Sequence, residues 1–204
     1  MICITTRDIH AETTTITVDG NPNDWIELGL NPVGTDPPFN IESYHDICAD
    51  LLEAWVYNDT ENLYFMIKVR GGYPEDWDRN TYFISIDADK NLETGGGMGW
   101  EYIISGMDGS AFFSIWNQTT LEFDIKYTLE IAAGDTGYIE WAVPLNYLNY
   151  TGKMDLKFST WDNILKETVN SITVKDICII PEISSNIIVL ALLGITILIF
   201  LFRR

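Results

Sequence analysis

Positive charge is scarce in this 204-residue chain: 12 lysines and arginines stand against 30 aspartates and glutamates, a formal net charge of −18. So acidic a chain repels nucleic acid and anionic lipid headgroups and attracts cations, which excludes a nucleic-acid partner. Histidine is rarer still. His10 and His45 have no Ser/Asp or Cys arrangement that would make either one a base. The H-E-x-x-H helix, the nucleophile elbow and the glycine-rich phosphate loop are all missing. Nothing among the many acids singles out a glycosidase pair, so the chain is expected not to be an enzyme. Cysteine is limited to Cys3, Cys48 and Cys178, without a C-x-x-C or Cys/His cluster for a metal. Internal repeats and low-complexity tracts are lacking, and no helical period appears before the last two dozen residues. With lysines present and 47% of residues hydrophobic, disorder is not indicated.

One long apolar run is present, at the end. Residues 187–202 carry no charge and are followed by Arg203 and Arg204. At 1.5 Å per residue these sixteen positions make about 24 Å of helix, the short end of a membrane span. A buried core helix would need a polar stripe and would not end on two arginines. The arginines orient the span with its end in the cytoplasm. All 30 acidic residues then lie in an extracellular ectodomain held to the cell membrane by a C-terminal helix. Residues 1–13 lack a basic n-region and a long apolar h-region and are read as the remnant of a signal peptide. If Cys3 leaves with that leader, Cys48 and Cys178 either form a disulfide or stay as two buried thiols. Their bridge would close a loop of roughly 130 residues and add about 4–5 kcal/mol in the chain-entropy model.

Between these ends the apolar residues recur with period two and are rich in β-branched and aromatic types. Strands are predicted at 14–18, 52–57, 63–69, 81–86, 101–105, 111–116, 123–131, 138–143, 156–160 and 171–175. Turn chemistry separates them, as at Gly71-Gly72, Gly95-Gly96-Gly97 and Gly134-Asp135. Residues 28–40 read as a long loop. The fold class is all-β: an antiparallel β-sandwich or jelly roll of about ten strands, followed by one transmembrane helix. The organisation is a leader remnant at 1–13, the sandwich at 14–178, a linker at 179–186 and the helix with its basic tail at 187–204. Three sequons, beginning at Asn58, Asn117 and Asn149, stand at turns and are expected glycosylation acceptors.

The sharpest internal motif runs from Asp87 to Gly95, D-A-D-K-N-L-E-T-G. Oxygens at alternate positions, Asp87, Asp89 and Asn91, are how a short loop wraps a hard cation such as calcium. Glu93 and a backbone carbonyl would fill further positions. The same residues also suit an Asx-rich turn in which carboxylates cap backbone N–H groups. Seven tryptophans are many for one domain. Trp55, Trp116 and Trp141 lie within predicted strands and are expected in the core. Trp25, Trp77, Trp100 and Trp161 lie near turns and beside acids, the arrangement a glycan platform needs: an apolar face for the sugar ring and carboxylates for its hydroxyls.

The central region resembles the family 9 carbohydrate-binding modules, within the wider DOMON-like group of β-sandwiches. The resemblance is carried in order by Thr17-Val18-Asp19-Gly20 with Asp24-Trp25 and by Asn62-Leu63-Tyr64-Phe65. It continues with Trp77-Asp78, Ile86-Asp87-Ala88-Asp89 with Asn91 and Thr94-Gly95, and Ile139-Glu140-Trp141-Ala142-Val143-Pro144-Leu145. It implies sugar binding through paired aromatics, Trp77 first among them, with a structural calcium at Asp87, Asp89 and Asn91. Some members of that group bind haem instead, which here would call on His45, Met66 or Met98. The tail resembles the PEF-CTERM sorting signal of archaeal surface proteins: Pro181-Glu182, an apolar helix and a terminal basic pair. It departs from that pattern in Ile183, where the motif has phenylalanine, and in having only two arginines. This resemblance implies recognition by an archaeosortase, removal of the helix and lipid attachment. The expectation is therefore a cell-surface module that binds a polysaccharide or other glycan, with an unliganded envelope component or a haem-binding redox module as alternatives.

Overall fold

Alternation of buried and outward side chains builds one wall of the fold. In strand β9, Lys153–Asp162, every second residue is buried, and its neighbours carry the same period. The computed structural model describes residues 15–38, 46–71, 79–107, 109–150 and 152–179. They contain a short helix α1 (Asn23–Glu27) and ten strands. In chain order these are β1 (Gly34–Thr35), β2 (Leu51–Asn58), β3 (Asn62–Val69), β4 (Asn80–Asp87), β5 (Tyr102–Met107), β6 (Ser110–Asn117), β7 (Glu122–Ala133), β8 (Tyr138–Pro144), β9 and β10 (Glu167–Cys178). All pairings are antiparallel, in the order β1-β2-β3-β8-β7-β6-β5-β4-β9-β10. The expected all-β class is therefore correct, and the architecture is one nearly closed sheet.

The sheet folds over itself because β7 is shared. Its residues 122–129 pair with β6, and its residues 130–133 pair with β8. The two walls then face each other across one core. Phe65 of β3 meets Phe158 of β9 edge-on, with ring centroids 6.1 Å apart, although their strands are not neighbours in the sheet. Apolar burial of this kind, about 25 cal/mol per Å² removed from water, is the main stabilising contribution. The sheet ends meet at β1 and β10. A Cβ on Gly34 would lie 2.4 Å from Ile172 Cγ2, so only glycine lets the backbone of β1 lie on β10. Beside it, Asn170 Nδ2 of β10 donates to Asp36 Oδ2 (3.1 Å) and to the Leu51 carbonyl (3.3 Å).

Three expectations change here. Residues 15–18 are not a strand, and the edge strand is β1, inside the stretch read as a loop. The N-terminal segment is instead a strap across the outer face of β2, β3 and β8. Ile16 and Trp25 bury there with Trp55, Tyr64 and Met66, and Val18, Leu28 and Leu30 pack alongside. Outer-face apolar residues need a cover, and the strap supplies it without joining the ladder. The Cys48–Cys178 bridge is also not formed, and Cys48 is a free, buried thiol. Asp46, which caps the Cys48 N–H, bonds Asn80, and Asn80 pairs with Asp162 at one end of β9. Cys178 pairs with Lys153 at the other end. About 30 Å of strand separates the two ends, far beyond the roughly 4.4–6.8 Å between Cα atoms that a disulfide spans.

Among the described residues no helix is long and apolar enough to cross a membrane. The leader remnant at 1–13, Pro181 and Glu182, and the apolar run at 187–202 lie outside the described residues.

Candidate functional site

The antiparallel hairpin of β4 and β5 brings three carboxylates together. Ile86 pairs with Tyr102, and the Glu101 N–H bonds the Ile86 carbonyl. That register sets Glu101 opposite Asp87, at the mouth of the excursion 88–100. Like charges directly opposite each other are unfavourable, and here a third joins them. Ligand oxygens of Asp87, Asp89 and Glu101 all lie within 4.8 Å of one another. Asp87 is buried, and burial raises its pKa, opposed by the Lys90 N–H and reinforced by Asp155 and Asp89. Burial likewise raises Glu101, opposed by the Ala88 N–H and the Thr94 hydroxyl and reinforced by Asp89 and Asp87.

Local turns hold these groups in place. The Asp87 carboxylate accepts from the Lys90 N–H, Asp89 Oδ1 from the Asn91 N–H (2.9 Å) and Asn91 Oδ1 from the Glu93 N–H (3.1 Å). Thr94 Oγ1 stands among the acceptors, 3.0 Å from both Asp89 oxygens, 2.9 Å from Glu101 Oε1 and 2.8 Å from the Asn91 carbonyl. Its single proton can satisfy one of them at a time. Lys90, the cation nearest in sequence, turns away to Asp155 and Asp176. The arrangement suits a hard, oxygen-preferring cation.

Of the expected ligands, the structure brings Asp87 and Asp89 together. The Asn91 side chain is engaged in an Asx turn, and only its carbonyl points at Thr94. Glu93 is exposed and stands outside the converging group, because its position on the turn projects it to solvent. Glu101 is the addition. The sequence placed it beside Trp100 as a sugar-facing acid. Only the hairpin register, which pairs positions fourteen apart, assigns it to the Asp87 loop.

The tryptophans sort differently from the expectation. Trp25 is 1% exposed, with its Nε1 donating to Glu140 Oε1 at 2.6 Å, so it offers no face to a sugar. Trp100 and Trp161 are half-buried. Trp161 stands opposite Thr81, and Trp100 precedes the residue bonded to Ile86. About 17 Å of strand lies between those points, so these two are not a stacking pair. Trp77 and His45 lie outside the described residues. Met66 is buried under the strap, while Met98 is 66% exposed.

Asn58 is fully buried, which corrects its reading as a glycan acceptor, since the amide must reach solvent. Asn117 is half-buried with its Nδ2 donating to Asp124 Oδ2 (2.9 Å), and Asn149 is exposed. In comparison with known proteins, the chain matches no family model and no curated protein.

Proposed function

We propose that this protein is a non-catalytic, cell-surface binding module whose loop 87–101 takes one calcium ion as a structural cation and whose ligand is a glycan. The observation that supports it most is the convergence of the Asp87, Asp89 and Glu101 carboxylates on one another, with the Thr94 hydroxyl between Asp89 and Glu101 and Lys90 committed elsewhere. Bringing three carboxylates into partial burial is costly without a counter-charge, and a divalent ion would repay it. In this reading the ion ties the β4–β5 excursion to the sheet and performs no chemistry. The acidic ectodomain and the apolar tail agree with an outward-facing protein sorted through Pro181-Glu182 and held at the membrane by residues 187–202.

Calorimetric titration of calcium into the metal-free protein tests the first half: one site per chain is expected, abolished in Asp89→Ala. No heat and no change in thermal midpoint would reject the cation. A glycan array tests the second half, and intact mass of the mature protein tests the fate of the tail. A structural role in the envelope is the second reading. It is favoured by Leu121 and Ile125, each 65% exposed on or beside β7, which suit lateral packing against neighbours. Lateral assembly on membranes without glycan binding would select it.

A further inference from the structure

The shared strand leaves a fork. Glu130 and Ala142 are the last pair between β7 and β8; beyond them residues 122–129 of β7 pair with β6 alone, and Pro144 of β8 pairs with Asn62 of β3. A cleft of about 370 Å³ fills the gap, at the small end of ligand pockets. Its walls include Tyr147, Pro144 and Tyr64, and its polar groups include Asn62, Thr128 and Glu130. Tyr147, just after β8, stacks on Tyr127 of β7 across the fork. Their rings are 3.8 Å apart at 13°, and both contact Phe113 in the core. The aromatic wall is therefore preformed and would lose little rotamer freedom on binding.

We propose that this fork seats a neutral hexose unit of a glycan, with the apolar face of the sugar on Tyr147 and its hydroxyls on Asn62, Thr128 and Glu130. The inference rests on the carbohydrate reading above and gives it a location apart from the buried Trp25 and the separated Trp100 and Trp161. The chemistry of the lining selects the class. No lysine or arginine lines the cleft, and the chain is strongly acidic, so phosphate, sulfate and uronate ligands are repelled. A wholly apolar ligand would strip water from the Glu130 carboxylate without replacing its hydrogen bonds, which is unfavourable, while the Asn62 amide already donates to the Tyr64 hydroxyl (3.3 Å). A pyranose ring satisfies both halves, with an apolar face and a rim of donors and acceptors.

The full chain, ¹⁵N-labelled, is titrated with cellobiose, maltose and mannobiose and followed by amide chemical shifts. At least one probe is expected to bind with a Kd below about 1 mM and to move the amides of Asn62, Thr128, Glu130 and Ala142. Tyr147→Ala should weaken it at least about tenfold. Glu130→Gln, at an exposed position that leaves the core untouched, should weaken it about threefold or more. If a probe binds while both variants stay within about twofold of the parent, the fork is rejected and the carbohydrate reading stands. If no probe binds, the fork is rejected, and the glycan array decides the carbohydrate reading separately.

Discussion

Trp25 Nε1 donates to Glu140 Oε1 at 2.6 Å, joining the N-terminal strap to β8 across 115 residues of sequence. The other carboxylate oxygen accepts two more strap donors, the N–H groups of Asp19 (3.0 Å) and Gly20 (2.7 Å). One buried acid therefore anchors the strap, and the apolar contacts of Ile16 and Trp25 close over it. Removing the acid leaves two buried donors, the Trp25 indole N–H and the Gly20 N–H, and the partly buried Asp19 N–H unsatisfied. Glu140→Ala should cost about 2–4 kcal/mol in urea unfolding, and Trp25→Phe, which loses one donor, about 1–2 kcal/mol. Equal, near-zero effects would show that the strap contributes nothing to stability.

The same carboxyl should make stability fall as pH rises. Burial pushes Glu140 from an ordinary value of 4.5 up to about 7, opposed by its three N–H partners. Between those values the folded chain holds a proton that the unfolded chain has released, so the folded state is favoured on the acid side. The contribution is fully present below about 4.5 and lost as pH passes through 7. Unfolding midpoints for wild type and Glu140→Gln should diverge steadily from pH 5 to 8, with the wild type losing on the order of 2–4 kcal/mol relative to the variant. Parallel profiles would refute this.

Calcium should raise the thermal midpoint through Asp87, Asp89 and Glu101. The shift should vanish in Glu101→Gln and persist in Glu93→Gln, because Glu93 stands outside the converging oxygens. Differential scanning calorimetry with and without chelator reads both. A loss in Glu93→Gln together with retention in Glu101→Gln would restore the ligand set expected from sequence.

Closure of the sheet depends on one absent side chain. Gly34→Val would drive a Cβ to within 2.4 Å of Ile172 Cγ2, so β1 must lift from β10. A loss of about 1–3 kcal/mol is expected, with faster amide exchange confined to β1 and the facing part of β10. Exchange unchanged in those strands would count against closure at this point.

The Cys48 thiol should be inert in the native protein. It is buried, and burial first, then Asp46, pushes it up to about 12, leaving almost no thiolate at neutral pH. Native protein should leave Cys48 unmodified by iodoacetamide on the timescale in which urea-unfolded protein reacts completely, as read by peptide mass spectrometry.

Nine of the ten strands were legible because period-two alternation is local: burying every second side chain of β9 or β4 asks only for a neighbour on each side. The Asp87–Asp89 spacing was legible for the same reason, since both belong to one turn. What could not be read depends on partners far apart in the chain. The burial of Trp25 needs Glu140, the membership of Glu101 in the acidic loop needs the β4–β5 register, and the edge strand at Gly34 needs Ile172. The separation of Cys48 from Cys178 is set by which end of β9 each one reaches. Sequence by itself determined the all-β class, the acidic surface and the turn that gathers carboxylates, through side-chain chemistry and nearest-neighbour sterics. Tertiary structure alone decided that the strands form one nearly closed sheet, that β7 divides to open a fork, and which aromatics face solvent, because pairing order sets which distant residues meet.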